Sequence, residues 1–148
     1  MPGEGPGVWL DGAHNADKME ALVGSLDALP GHKPVMVLGA LGSKDIEAMA
    51  GFVATKASAL VCTEPHVLGK HALPAADVAG ALRAARFTGP LACEPDPRLA
   101  VDRAEEIGRA HGEPVVVTGS LYLIGEVRRR WFPDAAIVTQ RTPWPQWR

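Results

Sequence analysis

The stretch Leu10-Asp11-Gly12-Ala13-His14-Asn15 joins a short apolar run, which begins at Val8, to a segment whose apolar residues recur at helical spacing. We predict a strand at 8–10 and a helix from Asp17 to Leu29, which Pro30-Gly31 ends. The turn between the two therefore holds an acid, an imidazole and an amide. Such strand-to-helix turns are where α/β proteins build their ligand sites.

The same alternation of an apolar run and a helical pattern repeats along the chain. Further strands are predicted at 34–38, 59–63, 91–93 and 115–118, and further helices at 45–55, 75–86, 97–110 and 121–131. These repeats predict an α/β fold: a Rossmann-like, doubly wound, mostly parallel sheet of five to six strands with helices on both faces. Ligands of such sheets bind at the carboxyl ends of the strands. The loops predicted to share that edge are 11–15, 39–45, 63–66, 94–96 and 119–122.

Length and composition favour one globular domain over 1–148. The 148 residues are 47% hydrophobic and 22% charged, close to an average domain. The proline-containing tail at 141–148 cannot continue a helix and is predicted to be extended. A net charge of −2 argues against nucleic acid and anionic membranes as partners. The basic cluster at 128–130 is interpreted as a solvated helix end.

Cysteine usage and hydropathy point to a cytoplasmic protein. Cys62 and Cys93 lie in apolar runs without metal-ligand spacing, so we expect two buried thiols rather than a disulfide or a zinc site. No apolar run reaches the length of a membrane span, and the N-terminus lacks the pattern of a signal peptide.

The chain has no recognisable phosphate-binding loop. It contains neither Gly-x-x-x-x-Gly-Lys-[Ser/Thr] nor Gly-x-Gly-x-x-Gly. An ATP-using enzyme that carries this domain therefore needs phosphate binding from another part of the molecule.

The polar residues of the first two loops each have two interpretations. Asp11 can accept hydrogen bonds from the vicinal hydroxyls of a ribose, or it can form an Asx-turn or a helix cap. His14 is either a ligand-binding group or a structural histidine, and Asn15 suits a helix N-cap. Lys44 can recognise a carboxylate or phosphate as a point charge. Chemistry alone favours an exposed lysine beside a helix-capping Asp45.

The turn after the fifth strand offers a second polar group. The hydroxyl of Ser120, with free N–H groups at a helix N-terminus, would form an anion-binding arrangement. Alternatively, Ser120 is only an N-cap and Tyr122 only packs. A nucleophilic serine is not expected because Gly-x-Ser-x-Gly is absent. His66 and His71 carry little weight as site residues, no metal site is predicted, and Asp96 is explained as a helix cap.

Four segments, in order, carry a family resemblance. They are Leu-Asp-Gly-Ala-His-Asn at 10–15, Gly-Ala-Leu-Gly-Ser-Lys-Asp-Ile at 39–46, Pro65 with Ala-Leu-Pro at 72–74, and Gly-Ser-Leu-Tyr-Leu-Ile-Gly at 119–125. Together they resemble the signatures of the C-terminal domain of folylpolyglutamate synthases and dihydrofolate synthases, which are Mur-ligase-like, ATP-dependent amide ligases. The resemblance extends over nearly the whole chain.

The resemblance implies a function that needs a second domain. In this family ATP activates the carboxylate of folate or dihydropteroate as an acyl phosphate, which the amine of L-glutamate attacks. It implies a nucleotide site at Asp11, with Asn15 supporting the turn. The residues that it assigns to glutamate are His14, Lys44, Ser120 and Tyr122. The phosphate-binding loop and the Mg²⁺ ligands would belong to an N-terminal ATP-binding domain of the same polypeptide, so this chain would be inactive alone.

Three positions depart from the family pattern. Ala16 stands where a proline is usual, Ser43 where an aspartate is usual, and His71 where an arginine is usual. Lys70 is then the neighbour that can supply the missing charge.

Two other functions stay open. Another Mur-type ligase would usually show Asp-Tyr-Ala-His, whereas Gly12 favours the folate branch. A Rossmann-like binding module without catalytic activity is the second, and the length of the native reading frame would separate it from a ligase. The sequence also leaves open which of the two folate activities the parent has.

Overall fold

The computed structural model describes residues 7–28, 33–42 and 45–132, over which strands and helices alternate. The strands are β1 (Val8–Leu10), β2 (Val35–Leu38), β3 (Ala59–Cys62), β4 (Leu91–Cys93) and β5 (Val115–Thr118). The helices are α1 (Ala16–Leu26), α2 (Ile46–Ala54), α3 (Ala75–Ala84), α4 (Pro97–His111) and α5 (Leu121–Val127), which a 3₁₀ turn, Arg128–Arg130, follows. Among the described helices, none is both long and apolar enough to cross a membrane.

The strands form one parallel sheet in the order β1-β5-β2-β3-β4. Helices α1, α2 and α3 pack on one face, and α4 and α5 pack on the other. Because both faces are covered, β2, β3 and β5 are buried along their length, and all their residues except Thr118 at the end of β5 are apolar. The predicted doubly wound fold is confirmed, with five strands in the described sheet.

Successive side chains of the central strands feed two separate apolar layers, because the side chains of a strand alternate between its faces. Met36 and Leu38 belong to the layer beneath α1, α2 and α3. Val35 and Val37 belong to the layer beneath α4 and α5. The sheet therefore contributes side chains to both apolar layers.

The predicted helix ends are wrong by a few residues where the chain leaves the core. Helix α1 ends at Leu26 rather than Leu29. Helix α5 ends at Val127, and the 3₁₀ turn that follows has no buried residue, so nothing apolar holds a longer helix against the sheet. The tail predicted at 141–148 lies outside the described residues.

The two cysteines differ, which corrects the expectation of two buried thiols. Both are free, but only Cys62 is buried, whereas Cys93 is exposed because β4 is an edge strand. Burial, together with the neighbouring Cys93, raises the pKa of the Cys62 thiol to about 12.

A crevice opens at the carboxyl end of β5. The chain leaves β5 toward α5 on one face, whereas it leaves the neighbouring strands β1 and β2 toward α1 and α2 on the opposite face. Loops that diverge from adjacent strands leave a gap between them, and open α/β sheets bind ligands in that gap.

Candidate functional site

The loops after β1 and β5 meet at the crevice through close backbone contacts. The N–H of Gly119 donates to the carbonyl of Ala13 at 2.9 Å. Gly119 has φ +110°, and a Cβ at this position would lie 2.3 Å from the carbonyl oxygen of Gly39. A Cβ at Gly12 would meet the Leu121 side chain at 2.4 Å. The backbone contact and the positive φ require glycine at position 119, whereas at position 12 the exposed Leu121 side chain could move aside.

The β3–α3 loop is fixed to the β2–α2 loop. The N–H of Leu73 donates to the carbonyl of Ala40 at 2.9 Å, and that of Gly42 donates to the carbonyl of His71 at 3.0 Å. His71 contributes its backbone here while its side chain is exposed. The preceding residue, Lys70, reaches the crevice instead.

A cleft of about 150 Å³ lies between these loops; we call it the central cleft. Its walls are His14, Leu41, Lys70, Gly119, Ser120, Leu121 and Tyr122. The structure thus brings together three of the residues predicted for glutamate: His14, Ser120 and Tyr122. The fourth, Lys44, lies outside the described residues, as does Ser43.

Ser120 is 3% exposed and caps helix α5. Its Oγ accepts hydrogen bonds from the N–H groups of Tyr122 at 3.1 Å and Leu123 at 3.4 Å. Those two N–H groups are therefore not free for an anion, which corrects part of the expected arrangement. Within the described residues the Ser120 hydroxyl donates to no acceptor, so its hydrogen is available to a ligand.

His14 is half-buried, and its tautomer is set by the backbone. Nδ1 lies 2.9 Å from the carbonyl oxygen of Gly12. A carbonyl oxygen only accepts hydrogen bonds, so Nδ1 carries the hydrogen in the neutral ring. Nε2 is then left for other partners.

Lys70 and Tyr122 form the outer wall of the central cleft. Lys70 Nζ donates to Tyr122 Oη at 3.0 Å and lies 4.8 Å from the centre of its ring. The hydrogen bond and the charge of Lys70 lower the pKa of the Tyr122 phenol. Sequence reasoning did not include Lys70 among the site residues, and the only signal for it was the missing arginine at position 71.

Asp11 does not face the central cleft. It lies in a second depression of about 410 Å³, beside Lys18 and Ser25 of α1. Asp11 Oδ1 accepts the N–H of Ala13 at 2.8 Å, which is the Asx-turn, one of the interpretations left open for this residue. Its Oδ2 has no hydrogen bond within the described residues. The exposed side chain of Leu121 borders both depressions and separates them.

Asn15 is the N-cap of α1, where its side chain accepts the N–H of Lys18 at 2.9 Å. Asp45 and Asp96 cap α2 and α4 in the same way, as predicted. None of these three residues lines the central cleft. Among the described residues there is also no group of three or more histidines, cysteines or carboxylates that could hold a metal ion.

An ion pair attaches the β3–α3 loop to α5. Glu126 Oε1 lies 2.8 Å from His66 Nδ1, and Oε2 accepts the backbone N–H of His66 at 3.1 Å. The hydrogen bond that the imidazole of His66 donates to the Glu126 carboxylate raises the pKa of His66. The loop that carries Lys70 is therefore held at both of its flanks.

Comparison with protein families and curated proteins gives a consistent result. The model of the family described as Mur ligase, glutamate ligase domain, matches residues 2–121. A probable bifunctional folylpolyglutamate synthase/dihydropteroate synthase of Haloferax volcanii is 31% identical over 154 residues. That alignment covers 95% of this chain but only 16% of the relative.

Solved structures agree with this family. Folylpolyglutamate synthase of Mycobacterium tuberculosis, complexed with ADP and AMPPCP, superposes with a TM-score of 0.75 at 25% identity, over 86% of this chain and 30% of that protein. Escherichia coli FolC, in complex with DHPP and ADP, has the same fold. It superposes with a TM-score of 0.70 at 23% identity, over 91% of this chain and 29% of that protein. This chain therefore spans less than a third of the length of these relatives.

Proposed function

The chain belongs to the family of Mur ligase glutamate ligase domains, in its folylpolyglutamate synthase branch, and we therefore propose that it acts as the C-terminal domain of an ATP-dependent ligase. The reaction would join the amine of L-glutamate to a carboxylate of folate or dihydropteroate. The carboxylate takes the terminal phosphoryl group of ATP, which releases ADP. The amine then attacks the acyl phosphate, and an amide forms as phosphate and a proton leave.

One observation carries this proposal: the separation of the two depressions by Leu121. On one side, His14 and Ser120 lie together with the cation of Lys70, which suits the carboxylates of an amino acid. On the other side, Asp11 presents an unpaired carboxylate oxygen, which suits the hydroxyls of a ribose. This arrangement supports a glutamate side and a nucleotide side within one domain.

Each residue of the central cleft has a defined capacity. The Ser120 hydroxyl would donate to a substrate carboxylate, and Lys70 would neutralise its charge. Nε2 of His14 would accept a hydrogen from the incoming ammonium group. Catalysis would consist of positioning and charge neutralisation, which require the opposite wall of the site.

Phosphate and Mg²⁺ binding would come from another domain. The relatives include structures with ADP, AMPPCP, and AMPPNP with a Mn ion, but the described residues offer no cluster that fits a divalent cation. We place those groups on an N-terminal ATP-binding domain of the same polypeptide. The isolated chain should therefore release no ADP, whether or not glutamate and folate are supplied.

Steady-state kinetics of the full-length ligase test the two sides separately. Ser120→Ala should raise KM for L-glutamate about tenfold or more, because a hydrogen bond to a charged group is lost, and leave KM for ATP unchanged. Asp11→Asn should raise KM for ATP and leave KM for glutamate unchanged.

Asp96→Ala is the matched control, because it also removes a helix cap, at about the same cost of ~1 kcal/mol, but away from both depressions. Glutamate kinetics of the Ser120 variant equal to those of this control would refute the assignment. Glutamate-dependent ADP release by the isolated chain would refute the need for a second domain.

The two alternative functions, another Mur-type ligase and a binding module without activity, stay open to test, the second by the length of the native reading frame. No contact in the central cleft favours another Mur-type ligase or a binding module without activity. Comparing folate and dihydropteroate as substrates of the full-length protein would decide between the two folate activities. The cytoplasmic location stays a prediction.

A further inference from the structure

Two thiols that the proposed function does not use face each other across β3 and β4. Cys62 and Cys93 are partners in the register of these parallel strands. Neighbouring strands lie about 4.8 Å apart, and a disulfide joins residues whose Cα atoms lie between about 4.4 and 6.8 Å apart. The sheet itself therefore holds the two residues within bridging distance.

Both side chains lie on the same face of the sheet. Cys62 belongs to the layer beneath α1, α2 and α3, and Leu91 packs against that layer. Because side chains alternate along a strand, Cys93 points to the same side as Leu91. The thiol of Cys93 donates to the carbonyl of Ala75 at 3.6 Å, and a hydrogen bond also joins it to the thiol of Cys62. The two sulfur atoms are therefore direct neighbours beside the first turn of α3.

The two thiols differ in access, which sets the order of reaction. Cys93 is exposed on an edge strand, whereas Cys62 is buried. A dissolved oxidant therefore reaches Cys93 first, and Cys62 reacts only with Cys93. Because burial and the neighbouring Cys93 raise the pKa of Cys62 to about 12, its attack on Cys93 should be slow, on the scale of hours.

We propose that Cys62 and Cys93 form a reversible intrachain disulfide when a small-molecule disulfide is the oxidant. The thiolate of Cys93 first attacks the small disulfide and releases one thiolate, which leaves a mixed disulfide on Cys93. The sulfur of Cys62 then attacks Sγ of Cys93, releases the second small thiolate and gives its proton to solvent. The pair of thiols loses two electrons and two protons, and the small disulfide is reduced to two thiols.

The bridge would connect distant parts of the chain. It would tie the edge strand β4 covalently to the interior strand β3 and close the segment 63–92, which contains α3 and the loop that carries Lys70. The inference does not rest on the proposed ligase activity, since it needs only the register and the faces of the two strands.

Oxidised glutathione tests the proposal on the folded 148-residue chain. After incubation, the chain is unfolded in denaturant with iodoacetamide, and its intact mass is measured. We expect the wild type to lose both iodoacetamide labels, to carry no glutathione and to remain monomeric on gel filtration. Treatment with dithiothreitol should then restore both labels.

Two variants serve as matched comparisons. Cys62→Ser should stop at the mixed disulfide, with one glutathione on Cys93. The double variant Ala92→Cys with Cys93→Ser moves the thiol by one residue, to the position opposite Val61 and thus to the other face of the sheet. It should form at least about tenfold less bridge than the wild type over the same period.

Three outcomes would overturn the proposal. The wild type keeps a label on Cys62, with or without a glutathione on Cys93; its disulfides join two chains; or the double variant closes to the same extent. The mass of the wild-type chain needs no variant, so a folding defect in either variant leaves the test valid.

Discussion

Gly119 is the residue on which the geometry of the central cleft depends. Its N–H holds the β1–α1 loop through the carbonyl of Ala13, and its left-handed backbone turns the chain into α5. The carbonyl oxygen of Gly39 occupies the place where a side chain would begin. The loops after β1, β2 and β5 therefore meet at one residue without a side chain.

Replacement of this glycine should damage both stability and the cleft. Gly119→Ala should cost at least about 2 kcal/mol in the free energy of unfolding, since positive φ and a backbone clash act together. Gly80→Ala is the control: Gly80 lies within α3 with open space around it, and we expect a gain of up to about 1 kcal/mol. Urea denaturation measures both, and equal stability of the two variants would contradict the argument.

The two thiols should react very differently. A thiol with a pKa of about 12 holds almost no thiolate at neutral pH, so buried Cys62 should resist alkylation while exposed Cys93 reacts. Intact-mass spectrometry with iodoacetamide should show one label on the folded chain and two in denaturant. Cys93→Ser should show none when folded. A second label on the folded wild type would contradict this assignment.

The individual site residues were only partly predictable. His14 and Ser120 lie within four residues of the ends of apolar strands, so their place at the sheet edge could be predicted from the pattern. Lys70 lies in the middle of a loop, where no periodicity fixes direction, and its contact with Tyr122 arises only from the folded path. That Ser120 satisfies its own helix N–H groups is a matter of side-chain rotation, which spacing does not encode.

At the scale of the elements, the β3–α3 loop matters most for the central cleft, because it carries Lys70. Backbone hydrogen bonds hold one flank to the β2–α2 loop, and His66 with Glu126 holds the other flank to α5. The carboxylate of Glu64 accepts the N–H of Ala75 at 2.9 Å and so supplies the cap that Pro74 cannot give to α3. The loop therefore presents Lys70 from a fixed position.

The attachment of this loop to α5 should depend on pH. Glu126 raises the pKa of His66, so the ion pair stabilises the fold fully below the ordinary value of 6.5 and is lost as pH rises through the raised pKa. The imidazole is largely exposed, which limits the gain to at most about 1 kcal/mol.

NMR titration of the wild type and Glu126→Gln measures this effect. The midpoint of His66 should fall toward its ordinary value in the variant, and the stability difference between the two proteins should be larger at about pH 5.5 than at about pH 8.5. Glu106→Gln, on the exposed side of α4, is the control. An unchanged His66 midpoint in Glu126→Gln would contradict the assignment.

Over the whole molecule, two apolar layers share one sheet. Leu60 points into the layer beneath α1, α2 and α3, whereas its neighbour Val61 points into the layer beneath α4 and α5. Strand positions were predictable because covered parallel strands are continuous apolar runs. The strand order was not predictable, because it depends on which surfaces pack rather than on any local pattern.

A shared sheet should make unfolding a single transition. Leu60→Ala should lower the free energy of unfolding by about 2–5 kcal/mol, and Val61→Ala should also lower it, with far-UV circular dichroism and tryptophan fluorescence reporting one midpoint in each variant. Leu68→Ala, at a fully exposed loop position, should change stability by less than about 0.5 kcal/mol. Two separate midpoints would show that the layers unfold independently.

The position of β1 has a consequence for biosynthesis. In the described sheet β1 pairs with β5 alone, and the contact between Thr118 and Ala13 joins residues 105 positions apart. As the polypeptide leaves the ribosome, β2, β3 and β4 can associate early, because each lies near its neighbour in the chain. β1 can join the sheet only after β5 has been synthesised. A chain that terminates before Ser120 would therefore lack the loop that completes the central cleft. Only chains translated beyond Ser120 could bind a ligand there.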